Sequence, residues 1–408
     1  MDSKSRGVAR LRLAHLIESD GPGGAERVVV QLASALQASG AHNVVFLPAD
    51  GEGWLGRELN GSGVTIEYVR IERPISPRAA SALRASLLRH QIAVAHSHEF
   101  SMAVYGAWAS WRAGIPHVIT MHGARYYAER LRRRLALRAA IALSGQTVAV
   151  SDRLAGEIGR DLGVRRSRIL TIPNGVKPNG VKPNDVKDVK NVPTDRVTLR
   201  DELGLGPRDR LLVAVGNLYP VKGHQYLVDA LALLADSHPT LHVAISGRGQ
   251  LEGPLASRAR DYGLDGRVHL LGLRADIPAI LAAADIFVLP SLSEGLPLAL
   301  LEAMFAARPI VASDVGEVGV ALADGQAGVL VPPGDAAALA AALDRLLRAP
   351  KEARELGDRA ASRARKEYDL SRMVERYVGI YESVLARQTG ARTRLPTEMH
   401  TGFLGRIG

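Results

Sequence analysis

Short apolar runs alternate with longer Ala/Leu-rich segments of helical period from one end of the chain to the other. Leu11 to Ile17, Asn43 to Leu47, Ile92 to Ala95, His117 to Thr120 and Thr147 to Val150 read as strands buried on both faces. Ala25 to Ala38 has the spacing of a helix, with Gly40 as its stop. Strands alternating with helices predict parallel sheets covered on both sides, an α/β class. The pattern restarts further along with Leu211 to Val215, a helix over His224 to Ala235, then Leu241 to Ser246, Val268 to Leu270, Ile286 to Leu289 and Ile310 to Ala312. Two doubly wound, Rossmann-like domains are therefore expected.

Between the two patterns the composition shifts. Asn174-Gly175-Val176-Lys177-Pro178 is followed at once by Asn179-Gly180-Val181-Lys182-Pro183 and then by Val-Lys fragments, a tandem duplication of turn-forming steps with few large apolar groups. The expected organisation is a domain over residues 1–172, a linker over 173–194, a second domain over 195–371, an amphipathic helix over 372–386 carrying Tyr377 and Tyr381, and a flexible tail over 387–408.

Composition narrows the class. At 408 residues with 47% hydrophobic and 23% charged positions, the chain is neither disordered nor a small stapled scaffold. With no cysteine, disulfides, thiolate metal sites and thiol redox chemistry are excluded. Fifty-two Lys and Arg against 42 acids give +10, which favours phosphate-bearing partners without choosing among them. The polar stretch Met1 to Arg10 lacks the apolar core of a signal peptide, and Asp285 interrupts the longest apolar run, Ala279 to Leu292. A cytoplasmic location is expected.

Three loops carry candidate chemistry. Gly21-Pro22-Gly23-Gly24-Ala25-Glu26 joins a strand to a helix, where glycines let backbone amides approach an anion; Glu26 stands where a dinucleotide fingerprint needs a third glycine. Gly216-Asn217-Leu218-Tyr219-Pro220-Val221-Lys222-Gly223 sets one ammonium beside a glycine turn after a strand. In Ser291-Leu292-Ser293-Glu294-Gly295-Leu296-Pro297-Leu298-Ala299-Leu300-Leu301-Glu302, Pro297 suits a first helical turn and leaves the amides around Gly295, Leu296 and Leu298 as donors. Glu294 before the helix and Glu302 inside it offer acceptors for sugar hydroxyls.

Together these loops resemble the GT-B glycosyltransferases of the large retaining group called family 4, over nearly the whole chain, with the Glu-x7-Glu motif of Glu294 and Glu302 as the most specific element. The resemblance implies two Rossmann-like domains facing across a cleft, the last helix crossing back to the first. It implies that Glu302 takes ribose hydroxyls, Glu294 a hydroxyl of the transferred sugar and Lys222 the diphosphate, with Gly23 and Gly24 closing over the donor. His122, in Thr120-Met121-His122-Gly123, would orient the reacting sugar, and His98 would face the acceptor. Gly216, Gly247, Arg248 and Arg274 would border the donor. Where the family often has Gly-Arg, this chain has Gly216-Asn217, so a cation facing the diphosphate is replaced by a neutral donor, with Arg248 as the substitute.

The expected activity is a retaining, metal-independent transfer of a hexose-type sugar from a nucleoside diphosphate to an acceptor hydroxyl on a glycan or lipid-linked precursor. No cofactor is expected. His96-x-His98 has the look of a metal pair, but no third ligand lies near it in sequence and no Asp-x-Asp occurs. Arg130, Arg133, Arg134 and Arg138 fall on one helical face, with Leu131 and Leu135 on another, a basic amphipathic helix suited to an anionic membrane. Aromatics at 4% without basic interleaving disfavour nucleic acid. The alternatives are a sugar-nucleotide 2-epimerase-like isomerase and a non-catalytic sugar-nucleotide binder of the same fold.

Overall fold

The computed structural model describes residues 11–51, 53–70, 76–123, 126–178 and 199–388. The second copy of the Asn-Gly-Val-Lys-Pro repeat, the Val-Lys fragments, Arg125 and residues 389–408 lie outside the described residues. Two α/β units result. One takes the chain up to Ile172 and again from Val374; the other is Pro173–Met373.

The first unit contains strands β1 (Arg12–Leu16), β2 (His42–Pro48), β3 (Thr65–Val69), β4 (Val94–His98), β5 (His117–Met121), β6 (Gln146–Ala149) and β7 (Ile169–Thr171). They form one sheet in the order β3-β2-β1-β4-β5-β6-β7, every pairing parallel. The strand order reverses between β1 and β4. The sequence pattern ends the fourth strand at Ala95, yet β4 continues to His98, so His96 and His98 are strand residues and not loop residues. Buried polar groups are tolerated there because side chains of neighbouring strands bond them.

The second unit contains β8 (Arg210–Val215), β9 (Leu241–Ser246), β10 (Val268–Gly272), β11 (Ile286–Leu289), β12 (Ile310–Ser313) and β13 (Val329–Val331). Their order is β10-β9-β8-β11-β12-β13, again parallel, with its reversal between β8 and β11. Leu212, Val243, Ile245, Val288 and Val311 supply the sheet side of the core against Leu227 and Leu343 of the covering helices. In sheets of this kind the carboxyl ends of the two strands flanking the reversal open a crevice for ligands.

The first copy of the repeat belongs to the second unit: Val176 forms a parallel bridge with Asp369, and the Asn174 amide donates to the Leu296 carbonyl at 2.9 Å. The last helix, Leu370–Gln388, starts in the second unit and ends in the first. Its Tyr377 and Tyr381, both fully buried, bond the Thr120 hydroxyl at 3.1 Å and His96 Nδ1 at 2.8 Å. Among the described residues no helix is long and apolar enough to cross a membrane.

Candidate functional site

In the second unit the loops after β8 and β11 are drawn together by glycine. Gly223 has φ +65°, and a Cβ there would stand 2.0 Å from the Pro290 carbonyl oxygen. The Leu292 amide donates to the Val221 carbonyl at 2.8 Å, fixing the same approach. Lys222 Nζ is thereby delivered 2.7 Å from Glu294 Oε1, and the Ser291 hydroxyl donates to that oxygen at 2.7 Å. Glu294 is 7% exposed in its side chain, so its charge is held by an ammonium and a hydroxyl instead of water.

The loop after β12 supports this arrangement from the other side. Gly316, φ +57°, lies where a Cβ would meet the Glu294 carbonyl at 2.1 Å, and the Glu317 amide donates to the Gly295 carbonyl at 3.0 Å. Pro297 is the N-cap of helix Leu298–Phe305 and not a residue of its first turn. The first helical bond runs from the Leu301 amide to the Pro297 carbonyl, leaving the amides of Leu298, Ala299 and Leu300 ahead of it without intrahelical partners. Glu302 lies on this helix, half-buried. Ammonium, carboxylate and helix start therefore occupy one strand end, an arrangement suited to an anion flanked by hydroxyls.

Gly216 and Gly247 also meet. The Gly216 amide donates to the Ser246 carbonyl at 2.9 Å, and a Cβ on Gly247 would stand 2.0 Å from the Gly216 carbonyl oxygen. Asn217 follows in this packed turn, half-buried. His224, which the sequence pattern does not single out, is buried with Nε2 3.3 Å from the Gly216 carbonyl. Burial, with the Lys222 charge adding to it, brings its imidazole down to about 4.

The corresponding edge of the first unit is lined by histidine. His15 on β1, His96 and His98 on β4 and His122 just past β5 stack, with ring centroids 4.2 Å apart for His96 and His98 and 5.3 Å for His98 and His122. His98 Nδ1 is 3.0 Å from His122 Nε2. The His122 amide donates to Glu99 Oε1 at 2.9 Å. Glu99 adopts φ +65°, a left-handed conformation unusual for a residue with a side chain. Burial, reinforced by the charges of Glu18 and Glu26, pushes its carboxyl up to about 7.

Several expectations are corrected by this geometry. His98 cannot face an acceptor: it is fully buried in β4, with ring nitrogens directed at His15 and His122. At the glycine loop, a Cβ on Gly23 would stand 2.2 Å from Glu26 Oε2, so the protein's own carboxylate fills the start of helix Gly24–Ala38. Arg274 is gripped by Asp276 through two bonds, at 2.8 and 2.6 Å, and by Glu202 at 2.7 Å. Arg248 is exposed.

The basic face of helix Leu131–Leu143 is also largely engaged by the fold. Arg134 and Arg138 donate to the carbonyls of Asp161 and Leu162 at the end of helix Asp152–Leu162, and Arg133 pairs with Glu129 at 2.7 Å. Arg130 is exposed, and Leu131 and Leu135 are the exposed apolar residues, at 68% and 58%.

A third histidine does join the His96-x-His98 pair, contrary to the sequence expectation. Ring nitrogens of His15, His96 and His98 lie within 4.8 Å of one another, brought together by strand pairing of β1 with β4. They already have protein partners. His96 bonds Tyr381 at 2.8 Å and Thr120 at 2.7 Å, and His15 bonds Asn43 at 3.3 Å. A cation would have to displace these contacts.

Comparison with known proteins bears on the same two units. Residues 22–179 match the Glycosyltransferase Family 4 model, and residues 209–349 match the model for glycosyl transferases group 1. The phosphatidyl-myo-inositol mannosyltransferase of Mycobacterium leprae is 32% identical over 383 residues, covering 90% of this chain and 94% of that protein. The chain belongs to the family 4 glycosyltransferases, with the GT-B fold. The alpha-D-kanosaminyltransferase of Streptomyces kanamyceticus is 28% identical over 84% of this glycosyltransferase and 87% of its own length. In fold it is similar to HepE of Anabaena, crystallised with UDP, at a TM-score of 0.78 and 23% identity over 91% of this chain and all of that one.

The residues that sequence reasoning missed in this glycosyltransferase are Ser291, His224, His15, Asn43 and Glu99. Ser291 had a signal, standing three residues before Glu294 in the motif loop. His15 and Asn43 had none: each sits within an apolar run, and only the strand pairing shows what it touches.

Proposed function

We propose that this glycosyltransferase moves a hexose-type sugar from a nucleoside diphosphate to an acceptor hydroxyl with retention at the anomeric carbon, without a metal, on the cytoplasmic side of the membrane. The observation that carries this reading is the Lys222–Glu294 pair, 2.7 Å long, beside the start of helix Leu298–Phe305. An arriving diphosphate competes for Lys222, and the released Glu294 carboxylate then accepts a hydroxyl of the sugar. Negative charge grows on the diphosphate as the glycosidic bond breaks. The ammonium and the first-turn amides are fixed beforehand, so they stabilise that charge without reorganising. Asn217 contributes a neutral hydrogen bond where a second cation would contribute more.

In the same reading Glu302 receives the ribose hydroxyls, and His122 orients the sugar. The acceptor hydroxyl attacks from the face the diphosphate leaves, and a phosphate oxygen takes its proton. HepE was crystallised with UDP-glucose, which makes UDP-glucose the first donor to test. The acceptor is placed among glycans or lipid-linked precursors. Exposed Leu131 and Leu135 beside Arg130 support a shallow contact with an anionic membrane surface, narrower than the full arginine face.

The deciding experiment follows UDP-glucose by NMR with the purified chain and a panel of glycan and lipid-linked acceptors. Release of UDP with an α-linked product supports the proposal. A β-linked product contradicts retention. Conversion to an epimer without UDP release favours the isomerase, and binding without turnover favours the non-catalytic binder.

A further inference from the structure

A continuous line of side chains runs from β2 through β1 and β4 to His122, and two backbone groups fix its direction. The Asn43 amide donates to Gln37 Oε1 at 3.0 Å, and Asn43 Nδ2 lies 3.2 Å from that same oxygen and 3.3 Å from the Ala41 carbonyl. A backbone N–H only donates and a carbonyl only accepts. Asn43 Nδ2 must therefore face the Gln37 and Ala41 oxygens, which turns Asn43 Oδ1 toward His15.

Each ring then dictates the next. Asn43 Oδ1 is 3.3 Å from His15 Nε2, so that nitrogen carries the hydrogen and His15 Nδ1 is a lone pair. His98 Nε2 stands 3.4 Å from this lone pair and donates to it, leaving His98 Nδ1 bare. His122 Nε2, 3.0 Å away, donates in turn. The rings are neutral: burial brings His15 and His122 down to about 4, and holds His98 well below its ordinary value. The opposite order would set the His15 Nε2 lone pair against Asn43 Oδ1 at 3.3 Å, a contact with no hydrogen in it.

The line ends on an atom that lacks a partner. His122 Nδ1 is buried with no hydrogen-bond partner, and this order leaves it a lone pair. A buried acceptor of this kind needs a donor.

We infer that Asn43, His15 and His98 are positioning residues that lock His122 in its Nε2–H tautomer, so that its Nδ1 serves as an acceptor for a hydroxyl of the transferred sugar. This rests on the reading above in which His122 faces the sugar. It gives the histidine one defined task, recognition of an O–H donor. It also explains why imidazoles occupy the buried face of β1 and β4: only a ring with a nitrogen on each side passes a donor-acceptor order from one strand to the next.

The test is long-range proton–nitrogen correlation NMR of the full chain labelled in histidine, with His122→Gln to assign the signal. The unaltered protein is expected to show His122 protonated at Nε2 and bare at Nδ1. Asn43→Leu and His15→Leu are expected to convert it to a mixture of tautomers, whereas His15→Gln, whose carbonyl still accepts from His98, keeps the single form. A merely structural role for these residues moves stability and leaves the tautomer alone. His122 protonated at Nδ1 in the unaltered protein overturns the inference, whether or not any variant folds; so does an unchanged tautomer in folded Asn43→Leu and His15→Leu. Addition of UDP-glucose should shift the Nδ1 resonance. A fixed tautomer with an Nδ1 that ignores saturating UDP-glucose overturns the sugar contact, and with it the placement of His122 in the proposed function.

Discussion

The α-carbon of Gly223 packs so closely on the Pro290 carbonyl that a methyl group in place of its hydrogen would stand 2.0 Å from the oxygen. This contact, at φ +65°, sets where Lys222 can reach. Gly223→Ala must shift one loop or the other, at a cost of about 2 kcal/mol or more from the left-handed backbone and the overlap together. Thermal melts should show the loss of stability, and donor binding should weaken with it. An alanine variant that melts and binds like the parent would mean that this approach does not position Lys222.

Glu294 is the more buried member of its ion pair, so the two members should respond differently to removal. Lys222→Met leaves a carboxylate that is 7% exposed with only Ser291 to hold it, and should destabilise the second unit by about 2–4 kcal/mol. Glu294→Gln leaves a lysine that can reach water, and should cost about 1 kcal/mol or less. Urea denaturation of the two variants measures the difference. The double variant should recover part of the Lys222→Met loss.

Glu99 predicts a pH effect of definite sign. Its carboxyl is raised from 4.5 to about 7 in the folded protein, so the folded state holds the proton more tightly than the unfolded chain does. The resulting stabilisation is complete below about 4.5 and is lost as pH rises to about 7. Glu99→Gln keeps an acceptor for the His122 amide and removes the titration. It should match the parent at low pH and exceed its stability above pH 7, by about 3 kcal/mol at most. Melting curves across that range check this; a constant difference between the two proteins would place Glu99 outside the titrating groups.

The buried histidines act with the opposite sign. His15, His122 and His224 are held near 4 and His117 near 3 by burial, below the ordinary 6.5. The unfolded chain takes up protons in this window while the folded protein does not, so stability present above about 6.5 is lost as pH falls toward 4. Several histidines outweigh the single Glu99. The melting temperature should therefore fall steeply between about pH 6.5 and 4, and a flat profile would contradict the neutral histidine wall.

The parts of the molecule legible in the sequence are those fixed by local pattern. Leu241 to Ser246 and Ile286 to Leu289 are bounded as the apolar runs predict, because turn residues flank them and both faces are buried. The edge strands β3 and β13 are half-buried and leave a weak pattern. The Lys222 and Glu294 loops were legible because glycine, proline and charge concentrate there. The histidine line was not, since His15 and Asn43 meet His98 only through the pairing of β1 with β2 and β4. The arginine face failed for a related reason: helical spacing places Arg134 and Arg138 side by side, but only the packing of two helices shows that they hold carbonyl groups.

The account stands most directly on how Lys222 meets the donor, and isothermal titration of UDP-glucose into the full chain measures it. Lys222→Ala should weaken binding at least tenfold while the fold, followed by circular dichroism, is retained, and Glu302→Ala should do the same. Titrations of folded Lys222→Ala and Glu302→Ala that superimpose on a measurable wild-type isotherm would remove both residues from the donor site and contradict the account.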